Sequence, residues 1–487
     1  MPLEDIRNER LKKLAVYENA LGDAYPASVS RTHTVAEARK NFAKLAKSKK
    51  RIAIAGRLMA FREHGGATFG NLRDESGELQ VYFKKDVLGE KKYSLLTEAV
   101  DVGDFLALSG TLFKTKRGEE TLEAKSWVIA AKSLRPLPEK WHGLQDVEER
   151  FRRRYLDLLM NAETKGRFFL RAKLFSFIRS FFEKSGFVEF ETPMLHPIPG
   201  GALARPFKTH HNALDADFYL RIAPELYLKR LLVGGFERVY ELGRNFRNEG
   251  MDASHNPEFT MLECYSAWWD EEAMMKFVEE FFSGAVSHFF NKKEFEYEGK
   301  KITPKTPFKR LAFKELLKRY ALINDYDAMS RDDLALAARQ LGLAVEKYEP
   351  KGKIADEIYK KIARPHLIEP TFVVHHPVDI SPLAKARGGN KGEVRRFQLI
   401  VGGTEIANGF AELNDPAEQV RRFREQEKAR IGGEREAHPM DIDFVEALEY
   451  GMPPAAGLGV GIDRLFMLFT NTHNIKEAII FPTMRPK

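Results

Sequence analysis

Between positions 457 and 464 the chain reads Gly-Leu-Gly-Val-Gly-Ile-Asp-Arg. In a strand, successive side chains point to opposite faces. Leu458, Val460 and Ile462 therefore face a core, while Gly457, Gly459 and Gly461 leave the other face bare. A bare face is a floor on which a flat ligand can approach the backbone. The spacing matches neither a P-loop nor a Rossmann turn. This points to an antiparallel sheet carrying a ligand site, closed by Arg464 just beyond the strand.

A second pair of segments supplies the opposite wall. Val239 to Arg247 is expected as a strand and Phe259 to Ala267 as its antiparallel return. Arg247 shares a face with Asn245 and Glu249, and Phe259, Met261, Glu263 and Tyr265 share the face of the returning strand. Acidic, basic and aromatic groups on one face are costly if buried without partners, so a ligand is expected between them. Upstream, Phe168 to Lys184 has helical spacing (Phe168, Ala172, Phe175, Ile178, Phe182). Gly186 ends that helix, and Val188 to Thr192 forms a strand stopped by Pro193.

The N-terminal part has another period. Residues 3–21 mix Leu11, Leu14, Ala15 and Leu21 with Arg and Lys, an amphipathic basic helix. Val35 to Lys50 is a second basic helical stretch, with Lys40, Lys44, Lys47, Lys49 and Lys50. From Arg51 the period becomes two. Ala67 to Arg73 and Leu79 to Phe83 flank an Asp74-Glu-Ser-Gly77 turn, and Phe105 to Lys114 and Thr121 to Ile129 turn at Arg117-Gly118. Leu72, Leu79, Val81 and Phe83 point inward; Phe69, Asn71, Arg73, Gln80 and Tyr82 point outward. Short strands so spaced suggest an OB-fold. An exposed ring beside an exposed amide, Phe69 and Gln80, suits single-stranded RNA. The net charge of +8 suits a polyanionic partner. A single cysteine, Cys264, precludes an internal disulfide and fits a reducing compartment. With no signal peptide or membrane span in view, a cytoplasmic location is expected.

Gly186–Pro193, Arg244-Asn-Phe-Arg-Asn-Glu249 with His255-Asn-Pro-Glu-Phe259, and Gly457–Arg464 resemble, in order and separation, motifs 1, 2 and 3 of the class II aminoacyl-tRNA synthetases. Gly200-Gly-Ala-Leu-Ala-Arg-Pro-Phe207, Arg221-Ile-Ala-Pro-Glu-Leu-Tyr-Leu-Lys229 and Gly403 to Asp415 narrow the resemblance to the lysyl group. It implies an α+β chain: an N-terminal OB-fold β-barrel plus the class II antiparallel sheet flanked by helices. The expected boundaries are 1–50 for a basic helical extension, 51–136 for an anticodon-binding barrel, 137–165 for a hinge and 166–487 for the catalytic domain. A helical insertion, not expected to be catalytic, falls within about 271–370.

The resemblance also implies roles. Glu263, Tyr265 and Glu412 would surround the side-chain ammonium of lysine, with Phe410 beside them. Glu225 and the Gly201 backbone would hold the α-amino group, and Arg247 and Asn408 the carboxylate. ATP would meet Arg247, Glu249, His255, Phe259, Gly459, Gly461 and Arg464, with Arg247 and Arg464 stabilising charge in the reaction. Phe69 and Gln80 would grip the anticodon of tRNA(Lys); the family's third, acidic contact has Glu123 as its nearest candidate. Motif 1 would build a homodimer. Magnesium would be held by two acids seven positions apart, of which Glu405 is one, but the other falls on Gln398, a neutral ligand. Glu405 differs in strand parity from Asn408 to Glu412, so a bulge is required if both reach one cavity. His375-His376 lacks the companion ligands of a metal site.

An aspartyl or asparaginyl enzyme of the same subclass is the first rival, but an aspartate pocket needs a cation where Glu263 and Glu412 stand. A non-catalytic tRNA-binding paralogue would be expected to lose motif residues, and none is lost. A relative that lysylates proteins typically lacks the barrel.

Overall fold

The alternation that begins at Ile52 becomes a closed five-stranded barrel in the computed structural model, which describes residues 2–138, 146–290, 293–347, 349–431 and 439–486. Strands β1 (Ile52–His64), β2 (Ala67–Asp74), β3 (Gly77–Lys84), β4 (Phe105–Lys114) and β5 (Glu120–Ala131) run in the order β1-β2-β3-β5-β4. Closure removes the free edges that an open sheet would expose. Leu72, Leu79, Val81 and Phe83 are buried inside, and Phe69, Asn71, Arg73, Gln80 and Tyr82 are partly exposed outside. Asp74 accepts from the backbone N–H of Ser76 at 2.8 Å and of Gly77 at 3.1 Å, which fixes the turn between β2 and β3.

The helix Leu3–Leu21 packs on this barrel through Leu14 of the expected apolar set and, more deeply, through two polar residues. Its buried residues are Arg10 and Tyr17, while Leu21 is exposed. Arg10 donates to the carbonyls of Ser133, Arg135 and Val102 at 2.7, 3.2 and 3.1 Å, and the Tyr17 hydroxyl accepts from the Ile129 N–H at 3.0 Å. Backbone groups at a barrel end need partners, and these two polar side chains provide them. The second basic stretch is two helices, Val35–Lys40 and Phe42–Ser48, broken at Asn41. Val35, Ala38, Phe42 and Leu45 are buried and the lysines are exposed.

The chain divides into two units, Met1–Gln145 and Asp146–Lys487. Residues 139–145 of the expected hinge lie outside the described residues. Those from 146 onward pack into the second unit: Arg154 is fully buried, pairs with Asp157 at 2.7 Å and donates to the carbonyls of Lys476 and Ile480 at 2.6 and 3.1 Å. This arginine is a structural anchor, not part of a solvated basic face.

The second unit is built on an eight-stranded sheet, in the order Lys309–Ala312, Thr371–Val374, Arg396–Val401, Thr404–Ala411, Ala455–Gly461, Glu258–Ala267, Arg238–Phe246, Val188–Glu189. Neighbours are antiparallel except for the outermost pair at each edge. The expected strand from Val188 is only two residues long, because Glu241 takes the Thr192 N–H at 3.1 Å and its hydroxyl at 2.7 Å. One face of the sheet buries Leu458 and Val460 against the helices Ala162–Lys184, Glu271–Phe290 and Ile462–Thr470, through Ile178, Phe182, Phe281, Phe282 and Phe466.

The helix Glu271–Phe290 is thus part of the main core, although it falls within the range expected for an insertion. The helices Phe313–Ala321, Arg331–Gln340 and Lys351–Ile358 have a separate core, formed by Phe313, Leu316, Leu317, Leu334, Ile354 and Tyr359 among others.

Candidate active site

The other face of the sheet lines a cavity of about 460 Å³. Its floor is the strand Ala455–Gly461. Gly459 lies between Glu263 and Asn408 in the ladder, and Gly457 between Tyr265 and Phe410. A Cβ on Gly457 would fall 2.2 Å from Glu412 Oε1 and 2.4 Å from the Tyr265 ring. Gly201 has φ +89° and packs its Cα against Glu225, where a Cβ would lie 2.9 Å from that residue's Cβ. These glycines give room to charged and aromatic neighbours.

Strands Arg238–Phe246 and Glu258–Ala267 pair with Glu241 opposite Glu263 and Asn245 opposite Phe259. The ladder continues to Arg247, whose N–H reaches the Pro257 carbonyl at 2.8 Å. The Arg247 guanidinium lies 5.0 Å from the Phe259 ring centre, and its Nε is buried without a hydrogen-bond partner. Burial lowers its pKa, against the pull of Glu249 and Glu263. Such a group is poised for an anion.

Arg464 stands in the first turn of the helix Ile462–Thr470, and its NH2 lies 3.1 Å from His255 Nε2. His255 Nδ1 is held 2.9 Å from Asp252. The neighbouring Asp463 accepts from the Thr260 N–H at 2.7 Å and pairs with Arg171 at 2.6 Å, which ties this helix to the adjoining strand.

At the opposite end of the cavity, carboxylates gather. Glu225, Glu263 and Glu412 are all buried. Glu263 accepts from the Tyr265 hydroxyl at 3.1 Å. Burial, then the charge of Glu225, pushes Glu263 up to about 8. Glu412 Oε1 stands against Gly457 on the cavity floor; its carboxylate pairs with Lys229 Nζ at 2.5 Å, and the same ammonium meets Glu225 at 2.5 Å. Burial opposes the charge on Lys229, but the two carboxylates outweigh it and raise its pKa.

The required bulge is present. The pairing of Arg396–Val401 with Thr404–Ala411 shifts register between Leu399 and Ile400, so Ile406 and Ala407 are both buried. Glu405 and Asn408 consequently line the same cavity, as do Phe410 and Gln398. Gln398 Nε2 donates to Glu405 Oε2 at 2.9 Å, and Gln398 Oε1 is buried without a well-formed hydrogen bond. With the Gln398 amide turned so that its oxygen faces Glu405, the pair would fit a hard divalent cation that takes its remaining ligands from phosphate and water. Among the described residues no group of three or more His, Cys, Asp and Glu side chains is arranged around a metal. His376 is fully buried against Phe313, and burial pushes it down to about 3.

Sequence reasoning missed Arg396, which donates to Asn408 Oδ1 at 2.8 Å and to the Ser381 hydroxyl at 3.0 Å. Its shared parity with Gln398 was the available signal. It also missed Lys353, Asp356, Glu357 and Lys360, which line the cavity from the region taken as a non-catalytic insertion. Charges at helical spacing read as a solvated face, and nothing local in the sequence marks them otherwise.

In the first unit, Phe69 packs its ring 4.7 Å from Tyr82 on the outer barrel face, and Gln80 Oε1 accepts from the Thr121 hydroxyl at 2.8 Å. Glu123 lies beside Tyr82 in the parallel pairing of β3 with β5.

Residues 146–485 match the family model of tRNA synthetases class II (D, K and N), and residues 52–130 match that of the OB-fold nucleic acid binding domain. The chain belongs to the class II tRNA synthetases. Among its relatives are lysine–tRNA ligases, two of those named here along nearly their whole length. That of Moorella thermoacetica is 48% identical over 484 residues, covering 99% of this chain and 98% of the relative. The heat-inducible lysine–tRNA ligase of Escherichia coli is 45% identical, covering 99% and 97%. That of Aquifex aeolicus is 47% identical, covering 90% of this chain and 73% of the relative. The cavity lies against residues 247–263 and 457–464 of the matched region.

Proposed function

We propose that this chain is a lysine–tRNA ligase, an enzyme that activates lysine with ATP and transfers the lysyl group to the 3′-terminal adenosine of tRNA(Lys). The observation that carries the lysine reading is the polarity of the cavity: buried carboxylates at one end, and Arg247 on the wall with its buried Nε unpartnered. An amino acid with a cationic side chain fits that polarity, with its ammonium at Glu263 and Tyr265, its α-amino group at Glu225 and Gly201, and its carboxylate at Arg247 and Asn408. Aspartate or asparagine would leave Glu263 without a counter-charge, a costly state in a buried site.

ATP then lies over Gly459 and Gly461, its adenine against Phe259 and its phosphates toward Arg464, His255 and Glu249. The lysine carboxylate attacks the α-phosphate, the new bond is a mixed anhydride, and pyrophosphate leaves. Arg247 and Arg464 stabilise the charge that builds on the phosphate oxygens. No side chain acts as a nucleophile; the cavity works by placing two reactants in line. Glu405 and Gln398 would hold magnesium, which neutralises phosphate charge when bound.

The anticodon reading of the barrel rests on the outward Phe69 and Gln80. A homodimer through motif 1 is supported by the edge strand Val188–Glu189 and the exposed Val188 and Phe169. Among the described residues no helix is long and apolar enough to cross a membrane, and a cytoplasmic site of action agrees with the translation role. Amino-acid-dependent ATP–pyrophosphate exchange across the twenty amino acids tests the function. Lysine is expected to dominate, and preference for aspartate or asparagine overturns the reading.

A further inference from the structure

The two basic stretches of the first unit differ in how their charges are answered. On Leu3–Leu21, Arg7, Lys12 and Lys13 pair with Glu4, Glu9 and Asp101 at 3.1, 2.6 and 2.7 Å. The stretch 38–51 holds seven Lys and Arg and no Asp or Glu. Its helices Val35–Lys40 and Phe42–Ser48 bury Val35, Ala38, Phe42 and Leu45, and Lys40, Lys44, Lys47, Lys49 and Lys50 all stand exposed. Among the described residues none of these five ammonium groups forms an ion pair. Glu37, the nearest acid in the chain, is engaged in the capping box, where it accepts from the Thr34 N–H at 2.8 Å. Lys44 and Lys47, three apart on one helix, repel each other. An anion bound over this face would relieve that repulsion.

The face adjoins the candidate anticodon surface. Arg39, on the first of the two helices, donates to the Glu78 carbonyl at 3.3 Å and lies 3.6 Å from Glu120. On the outer barrel face Glu78 takes the Asn71 amide at 2.6 Å and Arg73 at 2.7 Å, and Glu120 precedes Thr121, the partner of Gln80. At the other end Arg51 donates to Ser109 and Ser126, on β4 and β5, at 2.8 and 2.9 Å. The lysines therefore start beside the strand of Gln80 and run along the barrel. No large apolar side chain is exposed between Val35 and Arg51, unlike a helix that inserts at a lipid surface. Flexible point charges beside a base-reading face suit a phosphate backbone.

We propose that Lys40, Lys44 and Lys47, with Lys49 and Lys50, form a phosphate-contacting face that holds the tRNA backbone next to the bases met by Phe69 and Gln80. It rests on the tRNA reading of the barrel. The face supplies affinity without sequence information, as ammonium groups meet phosphates and release counterions. The ring and the amide supply the discrimination.

The test is the tRNA KM in aminoacylation by the full chain, measured from about 50 to 200 mM salt. The substrates are tRNA(Lys) and the same tRNA with an altered anticodon. In the triple variant Lys40→Gln, Lys44→Gln, Lys47→Gln, the slope of log KM against log salt is expected to fall by about one per lysine. The variant's defect should accordingly be at least about tenfold larger at the low-salt end than at the high-salt end. Its preference for tRNA(Lys) over the altered tRNA should be that of the wild type. Pyrophosphate exchange should stay within about twofold at every salt, since these side chains are exposed and outside the cavity. The corresponding triple arginine variant keeps the charge and should keep the wild-type slope. An unchanged slope in the glutamine variant assigns the face to another partner or to solubility and overturns the proposal. So does a slope lost equally in the arginine variant, or a lost anticodon preference. If the wild type charges no tRNA with lysine, it is the tRNA reading that fails.

Discussion

The barrel face and the synthetase cavity both hold candidate binding residues, but in opposite physical states. On the barrel, Phe69 and Gln80 are partly exposed and already have neutral partners, the Tyr82 ring and the Thr121 hydroxyl. Within the cavity, Glu263 is buried and Arg247 has a buried nitrogen without a partner. Exposed neutral groups lose little when a ligand is absent, whereas buried charges depend on one. Binding at the barrel should therefore be built from modest, separable contributions, and binding in the cavity from large, coupled ones.

The largest expected effect is Glu263→Gln. Removing one partner of a buried ion pair costs about 3–5 kcal/mol, so lysine activation should fall by about two to three orders of magnitude while the ATP KM barely moves. Unchanged exchange kinetics with lysine would remove Glu263 from the pocket. The wild type should also show a pH signature. Burial and Glu225 raise Glu263 to about 8, so the free pocket holds a proton at neutrality. Lysine needs the ionised form and expels that proton. The lysine KM should therefore fall as pH rises from 6 toward 8, by up to about tenfold per unit. For stability the sign is reversed: the proton held in the folded state is a contribution lost as pH rises from about 4.3, the unfolded value, through 8.

Gly457→Ala tests the cavity by geometry alone. The added methyl would collide with Glu412 Oε1 and the Tyr265 ring. Overpacking of this kind costs about 1–3 kcal/mol. Thermal stability and lysine affinity should fall together, and a variant with wild-type lysine KM would mean that the floor can shift.

These effects also separate what the sequence discloses from what it hides. Period-two alternation places Leu79, Val81 and Phe83 inside the barrel and the motif 3 glycines on a cavity face, because strand geometry leaves no third option. Parity even demanded the bulge between Glu405 and Asn408. The helices were less legible. Leu3–Leu21 packs through Arg10 and Tyr17 because the barrel end offers carbonyls to the one and the Ile129 N–H to the other, a fact external to the helix. Lys353 and Lys360 reach the cavity through the path of the chain after Ala312, which no local pattern encodes. Glu412 was recognised as a pocket acid by resemblance, but its pairing with Lys229 depends on two segments far apart in sequence.

On the barrel, Phe69→Ala and Gln80→Ala should each weaken aminoacylation of tRNA by about 1–3 kcal/mol, the value of one stacked or read base. Lysyl-adenylate formation should be spared, because the altered residues and the cavity belong to different units. Equal damage to charging and to pyrophosphate exchange would break the contrast between the two regions.

The smallest effect is expected where one of the two groups is neutral. Gln398 donates to Glu405 at 2.9 Å, so the carboxylate has a partner without a cation. In Gln398→Glu that hydrogen bond is lost and two carboxylates face each other, a repulsion that a divalent cation relieves. Two outcomes are expected. The variant should reach half-maximal lysine activation at lower free magnesium than the wild type, by less than about tenfold, since hard cations owe much of their affinity to carboxylate charge. Its melting temperature should rise more on adding magnesium than that of the wild type, because the ligand binds only the folded site. Arg247 and Arg464 keep the wild type active at saturating metal, as they neutralise phosphate independently. Overlapping magnesium curves would place Gln398 outside the metal's ligands. Overlapping curves with a lower melting temperature for the variant would instead assign Gln398 the task of holding Glu405 in place.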